Sequence, residues 1–241
     1  MSERLQKLLA NAGHGSRRQI EAWIAAGRVA VNGRIAQLGD RAEVADQICL
    51  DGVLLSTEGA VASEILIYNK PAGEVTTRSD PDGRPTVFDR LPRPSAGRWI
   101  VVGRLDFNTT GLLLFTTDGA LANRLMHPSS QIEREYLVRV AGIPVAAVID
   151  QLQRGVELED GPARFNRIEA GGRSGSHSWF RVVLHEGRNR EVRRMWSAVG
   201  YEVSRLSRVR FGPIVLPSGL KPGQWQHLGV TEAKLLSSSN E

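Results

Sequence analysis

Cysteine is all but missing from this chain: Cys49 stands alone among 241 residues. That leaves no disulfide framework and no thiolate metal site. Histidine is sparse as well, with five scattered copies and no His-x-x-x-His pair, so the pattern offers no support for metal catalysis. No apolar run approaches the length of a membrane span, and the opening Met-Ser-Glu-Arg-Leu-Gln-Lys has no apolar signal core. A cytoplasmic protein with no membrane partner is expected. Repeats and low-complexity blocks are also lacking.

What is present is an ordinary globular composition, 41% hydrophobic and 24% charged, in a chain long enough for two domains with a core each. The net charge of +5 is carried almost wholly by arginine, since only four of the 31 basic residues are lysine. Arginine's planar fork of donors suits phosphate, whereas solubility alone is served as well by lysine. The excess is concentrated in two places. Residues 1–34 hold Arg4, Lys7, Arg17, Arg18, Arg28 and Arg34 against Glu3 and Glu21; residues 181–210 hold eight arginines against Glu186, Glu191 and Glu202. A nucleic acid is the partner such patches fit.

Leu5, Leu8, Leu9 and Ala12 fall at helical spacing with Arg4 on another face, and Gly13-His-Gly15 ends that helix. Ser16 and Gln19 form a capping box that starts a second helix with Ile20, Trp23 and Ile24 inward. Arg17 and Arg18 sit in its first turn, where cations oppose the helix dipole; a solvated basic face is one reading, phosphate binding the other. Asn32-Gly33 and Asp51-Gly52 mark two hairpins. Residues 1–56 therefore read as two helices and a small sheet, 57–63 as a small, polar linker, and 64–236 as a second domain.

In the second domain Ile65–Tyr68 reads as a strand leading to Asn69-Lys-Pro-Ala-Gly73, and Thr86–Leu91 as a short helix stopped by Pro92. Trp99–Gly103 and Gly111–Phe115 read as two buried strands with a polar loop between them that carries Asp106. Asp106 as a turn cap paired with Arg104 is the plain reading of that loop. If the backbone stays extended, Arg104 and Asp106 share a face and Leu105 points away. Asp118 caps a helix that runs through Met126, Arg134–Val140 alternates as a strand, and residues 156–185 supply three more strands with a loop at 171–176. Gly187–Trp196 begins a helix with Val192, Met195 and Trp196 inward and Arg190 and Arg194 as an i, i+4 pair; Arg188, Arg190, Arg193 and Arg194 together repel one another, which an acidic partner relieves.

Three pieces in order, Gly103-Arg-Leu-Asp106, Thr110-Gly-Leu-Leu-Leu114 and Thr117-Asp-Gly119, resemble the active-site signature of the pseudouridine synthases related to the small-subunit ribosomal RNA enzyme. Arg134-Glu-Tyr136 is similar to that family's second signature, although a lone Tyr136 reads as a core tyrosine with its hydroxyl at the rim. Glu186-Gly-Arg-Asn-Arg-Glu-Val-Arg-Arg194 brings the likeness nearest to members that act on the large subunit. Residues 1–56, through Gly-x-Gly-Ser-Arg-Arg and Gly-Arg-Val-x-Val-Asn-Gly, resemble the S4-type RNA-binding domain, whose basic face matches His14, Arg17, Arg18 and Arg28, with Arg4 beside them.

The resemblance implies an α+β fold: a small αα-β domain of S4 type, then a catalytic domain with a mixed, mostly antiparallel sheet flanked by helices. It implies a cofactor-free, metal-free isomerisation of uridine to pseudouridine in ribosomal RNA, 23S first and 16S as the alternative, on free RNA or a pre-ribosomal particle. A non-catalytic assembly factor is the reading from another class, and a monomer is expected. Asp106 is the implied catalytic carboxylate, acting by direct attack or through a glycal. Arg193 is the cation set against it, and Tyr136 stacks on the flipped base near the proton leaving C5. Leu206 is to pack on the base's other side, and Arg104, Lys70, Arg188 and Arg190 are to bind substrate. Related enzymes often carry a long basic tail, and this chain stops soon after Leu236, so weaker RNA affinity is expected.

Overall fold

The computed structural model describes residues 2–57 and 63–238, so all but the ends of the expected linker lie outside the described residues. Two compact units partition the chain. The first comprises Met1–Glu64, Pro92–Ile100 and Thr116–Ala122; the second comprises Ile65–Leu91, Val101–Phe115 and Asn123–Glu241.

The first unit opens with β1 (Glu3–Arg4), α1 (Leu5–Asn11) and α2 (Arg17–Ala25). Ser16 caps α2 by accepting the Gln19 amide at 3.1 Å. The small sheet follows: β2 (Val29–Val31), β3 (Arg34–Ile35), β4 (Arg41–Ala42), β5 (Ile48–Leu50) and β6 (Val53–Leu55). Asn32 and Asp51 both take positive φ ahead of a glycine, the conformation a two-residue hairpin matched to strand twist requires. Strands β3, β2, β5 and β6 lie side by side, while β1 pairs with β4. Leu5, Leu9, Ile20, Val29 and Ile48 are fully buried between helices and sheet. The later segments join this unit through specific bonds. Thr117 donates its amide to the Glu64 carbonyl at 3.0 Å, and Ser95 donates its amide to the Glu64 carboxylate at 2.7 Å. Trp99, expected in a strand, instead precedes one: it is buried, with its indole N–H donating to Pro92 at 2.7 Å.

The chain continues with β7 (Ile65–Lys70), β8 (Ile100–Val102), β9 (Thr110–Thr116), α3 (Gly119–Met126) and β10 (Arg134–Ala141). Asp118 caps α3 through the amides of Ala120 and Leu121. Next come α4 (Ala146–Arg154), β11 (Val156–Leu158), β12 (Gly161–Ala163), β13 (Arg167–Ser174), β14 (His177–Leu184) and α5 (Glu191–Ala198). The chain closes with β15 (Val203–Phe211), β16 (Ile214–Val215), β17 (Trp225–His227) and α6 (Val230–Ser238). A nine-stranded sheet runs β13-β14-β10-β15-β9-β7-β17, with β8 beside β9 and β16 beside β15. It is mixed: β15 runs parallel to β9, and β10 lies antiparallel between β14 and β15.

Three expectations need correction. Residues Thr86–Leu91 form turns, not a helix, because Asp89 turns back on Thr86, accepting its amide at 2.7 Å and its hydroxyl at 2.8 Å, within a stretch bounded by Pro85 and Pro92. Residues 156–185 supply four strands, since residues 164–166 break the expected middle strand into β12 and β13, and the glycines at 171 and 172, expected in a loop, lie within β13 at a register shift opposite β14. Helix α5 starts four residues later than Gly187, because Arg190 sits at φ 48 as its N-cap. One face of β14, β10 and β15 is packed under α5, where Trp196 is fully buried with its ring tilted 39° to that of Phe180 at a centroid distance of 4.9 Å.

Candidate active site

The loop between β8 and β9 is fixed by its own backbone before any ligand is considered. Gly103, at φ +75, ends the strand, so the extended backbone does not continue through Arg104 and Asp106. Alternation of exposure survives even so: Arg104 is exposed, Leu105 buried and Asp106 half-buried. Thr76 clasps Leu105 from both sides, donating its hydroxyl to the carbonyl at 2.7 Å and accepting the amide at 3.3 Å. Within the loop, the Thr109 amide donates to the Asp106 carbonyl at 3.0 Å.

Lys70 adds a second clasp. Its ammonium donates to the carbonyls of Pro71, Phe107 and Thr109 at 3.0, 3.3 and 2.9 Å. Every residue of β7 is buried, and Lys70 is 0% exposed, so the expectation that it binds substrate is wrong. It holds the loop from behind. Burial pushes its pKa down to about 8 against the opposing pull of the Glu74 and Asp106 charges.

Asp106 faces a cavity of about 800 Å³. Tyr136 and Leu206 line the same cavity, carried by neighbouring strands on which Tyr136 stands opposite Arg208 and Val138 opposite Leu206. These three expected residues therefore come together, with Arg104, Arg188 and Arg190 also on the lining. Arg208 also lines it, a residue that the sequence motifs do not single out. It is 2% exposed, donates Nε to the Leu112 carbonyl at 2.8 Å and lies 5.2 Å from the Phe211 ring. Arg134 lies 5.2 Å from the same ring and donates to the Ile132 carbonyl at 2.9 Å and to that of His185. Burial holds its guanidinium below the ordinary value. The signal for Arg208 was its phase: it is two residues from Leu206 on a strand whose inward positions are otherwise apolar.

Arg193 is not on the lining. It donates Nη1 to the Val203 carbonyl at 2.7 Å and Nη2 to the Asn108 carbonyl at 3.4 Å, tying α5 and β15 to the loop. Burial and the Arg190 charge lower its pKa while the charge of Asp106 raises it, so the two groups interact through space. Among the described residues none forms an ion pair with Asp106.

The expected repulsion among the arginines of 188–194 is largely absent. Asp160 accepts two bonds from Arg194, each at 2.8 Å, and one from Arg188 at 3.2 Å. Arg188 also pairs with Glu186 and Glu191. Arg190 differs. Its left-handed backbone takes it off the helix face, it is exposed, and no described residue bonds to its side chain; the same holds for exposed Arg104.

In the N-terminal unit Arg4, Arg17 and Arg18 are exposed. Arg28 is engaged by Asp51 at 2.5 Å, and that pairing raises its pKa and lowers that of Asp51. The His14 ring is bonded to the Ser56 carbonyl at 2.8 Å. Arg28 and His14 are thus tied within the chain, whereas no described residue accepts a hydrogen bond from the side chains of the other three. Among the described residues no group of three His, Cys, Asp or Glu could hold a metal ion, and no helix is long and apolar enough to cross a membrane.

Comparison with known proteins bears on this geometry directly. Residues 64–198 match the family described as RNA pseudouridylate synthase, and residues 3–48 match the S4 domain. The chain is 59% identical over 240 residues to the ribosomal large subunit pseudouridine synthase B of Escherichia coli K12, covering 98% of this chain and 82% of that one. Against the protein of the same name from Pseudomonas aeruginosa it is 58% identical, covering 98% of this chain and 62% of that one. A crystal structure of a pseudouridylate synthase superposes with a TM-score of 0.67 at 29% identity, over 97% of this chain and 99% of that one.

Proposed function

The chain belongs to the RNA pseudouridylate synthase family, and from that premise we propose that it isomerises a uridine of ribosomal RNA, in the 23S RNA of the large subunit, with Asp106 as the catalytic carboxylate. Residues 64–236 form the catalytic domain and residues 1–56 the S4 domain. The observation that carries the reading is the meeting of Asp106, Tyr136 and Leu206 on one cavity, with unpaired Arg104 and Arg190 at its edge.

The reaction breaks the bond from ribose C1′ to uracil N1, turns the base, joins C1′ to C5 and moves the C5 proton to N1. Atoms and electrons balance without a cofactor. Both routes to the first step start from an ionised carboxylate at the ribose: attack on C1′, or removal of the neighbouring C2′ proton. Lys70 and Arg193 hold the loop that carries Asp106 through the carbonyls of Thr109 and Asn108 and set positive charge near its carboxylate as the RNA displaces water. Tyr136 and Leu206 take the flipped base between them. Extrusion of a base costs a few kcal/mol, less from a loop than from a duplex, and phosphate contacts at Arg104 and Arg190 offset it. The fixed charges of Arg134 and Arg208 beside Phe211 favour the electron-rich uracil as it separates.

The test is a transcriptome map of pseudouridine in ribosomal RNA from cells with and without the gene, followed by restoration with purified protein. One 23S site lost and restored supports the proposal. A lost 16S site redirects it to the small subunit, and unchanged maps refute it.

A further inference from the structure

The sheet has a second face. Along β14, β10 and β15 the residues Phe180, Val138 and Leu206 point under α5, so Trp179, Arg139 and Arg205 point the other way. Register sets these three in one row: Arg139 stands opposite Trp179 on one side and opposite Arg205 on the other. Facing residues on adjacent strands are about 5 Å apart, so two guanidinium side chains leave the sheet as direct neighbours. Like charges in that relation are destabilising unless something of opposite sign lies between them.

Nothing in the described chain does. Neither Arg139 nor Arg205 forms a side-chain hydrogen bond or ion pair, and Nε of Arg139 is buried without a partner. Two rows along the same face the situation is reversed. There Glu135 accepts from Arg210 at 2.8 Å and also holds Arg181 and Arg167, and Glu133 takes the other end of Arg210. The fold thus neutralises one group of arginines internally and leaves the other open beside a half-exposed indole. Paired guanidiniums next to an aromatic ring match a chain of phosphates with a base to stack.

We propose that the face formed by Trp179, Arg139 and Arg205 is a second RNA-contact surface, which takes a single-stranded stretch of the substrate RNA away from the catalytic cavity. The inference rests on the reading of the protein as an enzyme of ribosomal RNA. Phosphates bridge Arg139 and Arg205, and a base lies on Trp179. The surface adds affinity and register on a long RNA while contributing nothing to the bond changes in the cavity.

The full-length protein is titrated against a 23S transcript and against single-stranded oligouridylate across a series of salt concentrations. Arg139→Gln combined with Arg205→Gln is expected to weaken both at least about tenfold and to lower the salt slope by about 1.4, since each phosphate contact on a single strand contributes about 0.7. Trp179→Ala is expected to weaken both about fivefold and leave the slope unchanged. Should the double variant misfold by thermal melting, Arg205→Gln alone, an exposed change, carries the test with half the slope effect. A loss of less than threefold with an unaltered slope overturns the surface, whether or not a protein is found to bind there. Wild-type protein that forms no pseudouridine in the transcript overturns the functional reading instead, so the two failures are told apart.

Discussion

Lys70 Nζ lies 2.9 Å from the carbonyl oxygen of Thr109, three residues past the carboxylate whose placement governs the site. A buried ammonium on one strand is thereby locked to the backbone of the loop that carries Asp106. Removing it leaves the carbonyls of Pro71 and Thr109 without their donor, while that of Phe107 keeps the Gly73 amide at 3.0 Å, and each unsatisfied buried group costs about 1–3 kcal/mol.

Lys70→Met is therefore expected to lower kcat about a hundredfold while RNA affinity stays near that of wild type, because the side chain is out of reach of a ligand. Single-turnover kinetics alongside equilibrium binding would separate the two; a pure affinity loss contradicts the role.

The same residue gives a pH dependence with a defined sign. Its pKa falls to about 8 in the folded chain from 10.5, so between those values the unfolded chain binds more protons and stability rises with pH. Activity should move the other way, as the charged form that pins the loop is lost above about 8. Melting temperatures and rates of wild type relative to Lys70→Met, from pH 7 to 10, check both trends.

Gly111 makes the parallel approach of β9 to β15 possible. A Cβ there would sit 2.2 Å from the Arg208 carbonyl oxygen, and the backbone is at φ +97. Neither can relax without breaking the register that sets Arg208 beside Gly111. Gly111→Ala is expected to cost about 3 kcal/mol or more, or to prevent folding, by chemical denaturation.

Arg190 and Arg194 look alike in sequence and should behave differently. Arg190→Gln, at an unpaired cation on the cavity, should reduce the salt slope of RNA binding by about 0.7. Arg194→Gln removes a partner of Asp160 and should cost about 0.5–1 kcal/mol of stability with the slope unchanged. Equal slopes for the two variants would contradict the assignment.

This contrast shows where sequence reading stops. Signals that act within a few residues were legible: Ser16 and Asp118 as caps, Asn32-Gly33 and Asp51-Gly52 as turns, and Asp106 in a polar loop between apolar strands. Asp160, which neutralises Arg188 and Arg194 from about thirty positions upstream, leaves no local trace. Lys70 reads in sequence as a substrate-binding cation, but β7 is buried along its whole length, and Arg208 is one of eight arginines in residues 181–210 whose phase along β15 points it inward. Thr86–Leu91 reads as a short helix stopped by Pro92, but the Thr86 to Asp89 bonds favour a turn in so short a span.

The most direct measurement is pseudouridine formation by Asp106→Asn on a 23S transcript under single-turnover conditions, with melting and RNA affinity recorded on the same preparation. The change keeps size and polarity and removes only the charge. The account predicts no detectable product with both controls near wild type; measurable turnover would contradict it.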